Sequence, residues 1–196
     1  MRVSRVQAAE NRQTVINVAS RLFRERGFDG IGVKDLMESA GLTQGAFYKQ
    51  FASKEDLAAQ ASGRALESAT LRWSEAIAAT PEDPLGAVIA FYLSMGHRDE
   101  KMDGCPVAAL GSDAARQSSE VKASFETGIK AYLETLGRLV ADEDGRERKG
   151  KAKGKAMAIL STMVGAMTLS RVVNDPDLAQ AFLDAAVEQV RETAAA

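Results

Sequence analysis

Between Ile31 and Leu57 the chain reads IGVKDLMESAGLTQGAFYKQFASKEDL, and this stretch limits the possible fold more than any other. Val33, Leu36, Met37 and Ala40 recur at i, i+3, i+4 and i+7, which places them on one face of a helix. Gly41 follows, where a left-handed residue ends a helix without a Cβ clash, and Leu42 can tuck back under the turn. Thr43 suits the N-cap of a second helix, since its hydroxyl can accept a free backbone N–H of the first turn. In that helix Phe47 and Phe51 lie four apart and face inward, leaving Gln44, Gly45, Ala46, Tyr48, Lys49 and Gln50 on the remaining surface. Two short helices joined by a glycine turn, with one polar outward face, are the sequence form of a helix-turn-helix at 32–51.

The outward face has the chemistry that duplex recognition needs. Gly45 and Ala46 permit close approach, while a phenol and an ammonium suit phosphate oxygens and base edges. Taken singly, Tyr48 and Lys49 would read as a solvated helix face. Ser53 is placed to cap a further helix with Asp56 as its reciprocal partner, and Lys54 adds an ammonium beside that helix's free N-terminal N–H groups. Charge agrees: residues 1–54 hold nine Lys/Arg against five Asp/Glu, +4, inside a chain whose net charge is −2.

Gly41-Leu42-Thr43, the Phe47-Tyr48 pair, Phe51 and Ser53-Lys54-Glu55 together resemble the N-terminal domain of TetR/AcrR-family transcriptional regulators, over roughly residues 9–69. Gly32 departs from the pattern, since members often carry Thr there; glycine still caps, at a cost of only a few tenths of a kcal/mol. The resemblance implies a DNA-contacting set of Lys34, Thr43, Gln44, Gly45, Ala46, Tyr48, Lys49, Gln50 and Lys54. Gln44 and Lys49 are assigned to base edges, Thr43, Tyr48 and Lys54 to phosphates, and Lys34 to either. It also implies a DNA-binding domain at 1–54 and a helical effector-binding and dimerisation domain at 55–196. The protein would be a homodimer, most often a repressor, released from a palindromic double-stranded DNA operator by a small molecule.

Almost all of the chain reads as helix, so the expected fold class is all-α. Val15, Val18, Ala19, Leu22 and Phe23 form a stripe ended by Gly27, with Phe28 positioned to fold back. The helix opened by Ser53 continues to about Ala79. Asp83-Pro84 is a cap followed by proline at the first helical position, and Leu85, Val88, Ile89, Tyr92 and Met95 mark the helix after it. A short helix starts near Cys105-Pro106, and Val121, Phe125, Ile129, Tyr132, Leu136 and Val140 define a longer one. The run RERKGKAKGK, devoid of aromatics, reads as a solvated loop and a helix start.

Two helices close the chain, about Lys155 to Val173 and from Asp175-Pro176 onward. The first is apolar nearly all round and must be covered on every side, which a four-helix bundle of two chains achieves. The expected twofold interface comprises Leu160, Met163, Val164, Met167, Phe182, Leu183, Ala186 and Val190. The expected effector pocket draws on Trp73, Phe91, Tyr92, Met95, Cys105, Phe125, Tyr132, Met163 and Met167; no charge stands out as an anchor, so the effector is apolar or weakly polar.

Other classes find less support. Ala156 to Val173 is interrupted by Ser161, Thr162, Ser170 and Arg171 and makes a poor membrane span. No apolar run of signal-peptide type opens the chain, and one cysteine excludes an internal disulfide, so a cytoplasmic protein is expected. Cys105, between Gly104 and Pro106, sits where a helix N-terminus favours a reactive thiol, which leaves a redox or electrophile switch as an alternative. One histidine, His97 in a polar connection, and one cysteine are too few for a metal site and carry no signature of a thiol-dependent enzyme. No cofactor is expected.

Overall fold

The structure, a computed structural model, describes residues 4–141 and 149–196. Among the described residues there are nine α-helices, one short 3₁₀ helix and no strand, so the all-α expectation holds. In chain order they are α1 (Arg5–Arg26), α2 (Val33–Ser39), the 3₁₀ helix (Gln44–Lys49), α3 (Lys54–Ala79), α4 (Pro84–Tyr92), α5 (Met95–Asp99), α6 (Pro106–Ala114), α7 (Ser119–Leu139), α8 (Lys149–Val172) and α9 (Pro176–Ala195). Two compact units result: residues through Ser68 with Lys101–Thr127, and Ala69–Glu100 with Gly128–Ala196. Of the run RERKGKAKGK, residues 146–155, the first three lie outside the described residues, and from Lys149 onward it is the start of α8.

In the first unit, the Ser4 side chain caps α1 by accepting from the Gln7 N–H at 3.1 Å. Val15, Ile16, Ala19 and Phe23 form its buried face, whereas Val18 and Leu22 are only half-buried. Gly27 ends the helix at φ 77°, and Phe28 folds back with its ring 5.3 Å from that of Phe23. Arg24 is buried, and its guanidinium donates to the carbonyls of Ser20 and Gly104, each at 2.9 Å. That bond fastens the residues just before α6 to α1 and satisfies a cation that could not otherwise stay out of water.

In the second unit, Asp83 caps α4 by accepting from the Gly86 N–H at 2.9 Å. The helix ends at Tyr92, so Met95 does not extend α4 as its spacing predicts. Ser94 accepts the His97 N–H at 3.1 Å and opens α5, a separate turn of helix, at that point. Two arginines bind α5 and α8 reciprocally. Arg98 donates to the Ser170 and Val173 carbonyls at 2.7 and 3.3 Å, and Arg171 donates to the His97 and Arg98 carbonyls at 2.8 and 3.0 Å. Each thereby satisfies carbonyls that the end of the other helix leaves open. Helix α8 begins at Lys149, earlier than the expected Lys155, and the ammonium groups of Lys151 and Lys155 donate to the carbonyls of Ala196 and Ala194. Asp175 caps α9 as the sequence predicts.

Candidate nucleic-acid interface

Helix α2 is preceded by Gly32 at its N-cap, which is extended (φ −85°, ψ 160°) and offers only its backbone carbonyl, accepting the Leu36 N–H at 3.1 Å. Leu36 and Met37 are fully buried. Beyond Ala40 the Gly41 N–H donates to Glu38 and the Leu42 N–H to Met37, both at 2.9 Å, with Gly41 at φ 71°. This paired termination requires the left-handed residue. A Cβ on Gly41 would meet nothing within 4 Å, so the dihedral, not space, selects glycine.

The next element departs from expectation in one respect. Thr43 is extended, but its hydroxyl makes no cap bond; its carbonyl accepts the Ala46 N–H at 3.0 Å and the segment winds as 3₁₀ instead of α. Six residues with a glycine at the second position cannot accumulate the i→i+4 bonds that favour an α-helix. Phe47 and Phe51 nevertheless face inward, fully or almost fully buried, with ring centroids 5.4 Å apart. Tyr48 stands edge-on to Phe47 at 5.2 Å and is 70 % exposed.

Thr43, Gln44, Gly45 and Lys49 share that exposure, as does Lys34, whose ammonium is 3.9 Å from the Glu38 carboxylate. A surface pair of that kind is weak and leaves the lysine able to exchange partners. Ala46 and Lys54 are half-buried. Gln50 is the exception within the predicted set: it is half-buried, and its Oε1 is enclosed without a hydrogen-bond partner. Its amide oxygen is thus withdrawn from the outward face, because Gln50 is the cap where the chain turns back toward α3.

The following turn is capped as expected, with a shift of one residue. The Asp56 N–H donates to Ser53 Oγ at 3.1 Å, but the Asp56 carboxylate accepts from the Ala52 N–H at 3.0 Å and not from Ser53 itself. Its own backbone N–H and the Ser53 hydroxyl hold the Glu55 carboxyl below the usual carboxylate range. Sequence reasoning missed Arg12 of α1, whose guanidinium lies 5.0 Å from the centre of the Phe51 ring. No short-range pattern links positions so far apart in the chain.

The predicted effector residues divide between the units. Trp73 stacks on Tyr132 at 4.6 Å and meets Tyr92 edge-on at 5.9 Å, and Met163 and Met167 are fully buried, all in the second unit. Phe91, half-buried, lies between the His97 ring at 5.7 Å and the Arg72 guanidinium at 5.2 Å, and Met95 is half-buried. Cys105 and Phe125 are buried in the first unit. None of these residues lines the open groove of about 660 Å³ bordered by Arg12, Ile16, Gly63, Arg64, Glu120 and Ser124.

His97 does not lie in a polar connection. It is buried, its Nδ1–H donates to the Tyr92 carbonyl at 2.7 Å, and its pKa is lowered to about 4, chiefly by burial. The predicted interface also needs correction. Leu160, Met163, Met167, Leu183, Ala186 and Val190 are buried inside a single chain, where α8 and α9 pack on each other. A helix apolar on every side does not reveal from sequence which side its own chain covers. Val164 and Phe182 remain half-buried, and the exposed apolar side chains are Met157, Leu169 and Val172 of α8 and Leu178 of α9.

Residues 15–61 match the family model described as bacterial regulatory proteins, tetR family. This segment therefore carries a DNA-binding domain of the tetR type. The protein is a DNA-binding transcriptional regulator. Similar TetR-family and related proteins include the HTH-type transcriptional repressor NemR of Escherichia coli, 21 % identical over 171 residues that cover 83 % of this chain and 85 % of the relative. The HTH-type transcriptional regulator LmrA of Bacillus subtilis is 22 % identical over 166 residues, 82 % of this chain and 86 % of LmrA. Among solved structures, a TetR transcriptional regulator from Chloroflexus aurantiacus superposes with a TM-score of 0.79 at 25 % identity, covering 95 % of this chain and 97 % of its own. The reduced form of E. coli NemR gives 0.75 at 19 % identity, covering 93 % and 96 %.

Proposed function

We propose that this regulator is a dimeric repressor that leaves a palindromic operator when an apolar or weakly polar small molecule binds. Residues 1–54 act as the DNA-binding domain and 55–196 as the effector and dimerisation domain, working in the cytoplasm. The observation that carries the reading is the division of the 3₁₀ helix between two faces. Phe47 anchors it inward while Tyr48, Lys49 and Gln44 stand outward beside Gly45, above which a Cβ would find open space. A helix with that outer face enters the major groove, and a twofold dimer presents two of them about one helical turn apart.

Exposed apolar area on α8 and α9 supports the dimer. Met157, Val164 and Val172 recur at helical spacing on α8, and Leu178 with Phe182 continues the surface on α9. The effector site is assigned around Trp73, Tyr92, Tyr132, Met163 and Met167, and its occupant acts only through a preference for the non-binding conformation. Fluorescence anisotropy on the duplex upstream of the protein's own coding region tests the assignment. Tyr48→Ala and Lys49→Ala should each weaken binding by about 1–3 kcal/mol, while Val172→Asp should yield monomers in sedimentation. Binding indifferent to both head substitutions would overturn the proposal.

A second reading is switching through Cys105. It is favoured by similarity to NemR, whose structure is described as a reduced form, and by the position of Cys105 at the N-cap of α6. Intact-mass analysis of native protein after mild peroxide tests it, and an unmodified thiol rejects it. A thiol-dependent enzyme finds no support in the side chains: Cys105 and His97 are each buried, and the His97 Nδ1 is committed to the Tyr92 carbonyl.

A further inference from the structure

We propose that Arg12 is a positioning residue for DNA recognition, setting the orientation of the 3₁₀ helix from behind without itself touching the duplex. The inference rests on reading that helix as the element that enters the groove. A 3₁₀ helix of six residues has poor internal hydrogen-bond geometry and cannot fix its own direction, so the contacts at its ends must do so. At its C-terminal end four successive residues are gripped from outside. The Gln50 carbonyl accepts from Arg12 Nε at 3.4 Å, and the Phe51 ring lies under the Arg12 guanidinium at 5.0 Å. The Ala52 N–H donates to the Asp56 carboxylate at 3.0 Å, and Ser53 Oγ accepts the Asp56 N–H at 3.1 Å.

These grips form one relay. Arg12 Nη2 donates to Gln60 Oε1, Gln60 Nε2 donates to Asp56 Oδ1 at 2.7 Å, and the other Asp56 oxygen holds Ala52. Arg12 comes from α1, Asp56 and Gln60 from α3, so the relay ties the exit of the reading helix to these two helices. A guanidinium suits the position for three reasons. Its plane covers an aromatic face, its fork serves an amide and a carbonyl at once, and its charge complements the carbonyl end of a helix. An ammonium keeps the charge but has neither the plane nor the fork. Rotation of the 3₁₀ helix about its inward anchor Phe47 moves Gln44 and Lys49 relative to base edges, while phosphate contacts distributed over the motif tolerate it better. Base discrimination is therefore the quantity that Arg12 controls.

The test uses the full chain and two duplexes: one selected from a random pool by the wild-type protein, and one scrambled. Arg12→Met retains the apolar stem and removes the guanidinium. Expected is a roughly tenfold or greater fall in the ratio of selected to scrambled affinity, with the slope of log K against log salt unchanged, since no phosphate contact is lost. Arg12→Lys should not restore the ratio. Gln60→Met should lower it similarly, and the double variant should add little, as for members of one network. Should Arg12→Met not fold, Gln60→Met alone decides. A loss equal on both duplexes with the slope smaller by about one would make Arg12 a phosphate contact and overturn the proposal. An unchanged ratio would overturn it as well. Failure of the wild-type chain to select any duplex would remove the DNA-reading assignment, whereas selection that survives both substitutions would remove only the role of Arg12.

Discussion

Substituting Gly45 by alanine should move stability and DNA affinity in opposite directions, which separates folding from function at a single methyl group. Gly45 is exposed, has no positive φ, and a Cβ built on it meets nothing within 4 Å. Alanine can therefore adopt the native backbone without strain, and its effect on folding comes mainly from restricting the unfolded chain. That effect is worth about 0.4–1 kcal/mol in favour of the native state. For a chain of this size the melting temperature should rise by roughly 1–4 °C. On the DNA side the methyl adds to the exposed face that the proposed reading brings against the base edges. If one groove contact is displaced, affinity falls by about 1–3 kcal/mol.

Thermal unfolding followed by circular dichroism and anisotropy titration on the selected duplex measure the two quantities on the same preparation. A higher melting temperature with unchanged affinity would show that the Gly45 face does not come close to the duplex, refuting the groove assignment. A lower melting temperature would show that the site is not open.

Two other substitutions or conditions probe separate parts of the molecule. His97, the one histidine, is held neutral by burial with its pKa lowered from about 6.5 to about 4, so stability is fully present above about pH 6.5 and is lost as pH falls from there to about 4. The loss should be on the order of 3 kcal/mol, read as a falling urea midpoint, and proton NMR should show no imidazole titration between pH 7 and 5. Lys54→Ala should reduce the salt slope of DNA binding by about one, the signature of one phosphate contact. Its melting temperature should stay level or rise slightly, because a cation in the first turn of α3 opposes the helix dipole.

The parts of the fold that were legible in the sequence share a physical character: each is fixed by a dihedral or by a side chain acting on its own neighbourhood. Gly41 and Gly27 end their helices at positive φ, Asp83 and Asp175 cap helices that begin with proline, and Phe47 in the 3₁₀ helix and Phe51 just beyond its cap both turn inward. What escaped depends on partners distant in the chain. The burial of His97 follows from α5 docking on α8 through Arg98 and Arg171, and nothing within a polar stretch foretells it. The inward placement of Met163, Met167 and Leu183 follows from which side of α8 its own chain covers. Arg12 reads as an ordinary surface arginine until Gln50 and Gln60 are brought to it. The 3₁₀ winding of Gln44–Lys49 was missed for a different reason, since six residues carry almost no periodicity.

The recognition helix also shows why its two faces answer to different measurements. Among the described residues, none partners the side chains of Thr43, Gln44 or Lys49, and Tyr48 keeps most of its ring in solvent. Such side chains add little to folding, because they bury little apolar area and satisfy no internal group. Phe47 is the opposite case: it is fully buried, and its truncation to alanine would cost about 3–5 kcal/mol of stability before any effect on DNA could be seen. Arg12 occupies the boundary between these regimes. It is half-buried, bonded on the inner side to Gln60 and Gln50, and adjacent in space to Phe51, so its loss costs modest stability yet disturbs the direction of every outward group at once. Affinity changes without stability changes identify groups that touch the duplex, and stability changes identify the inner face. A loss of discrimination that exceeds both is the mark of a residue that aims the helix.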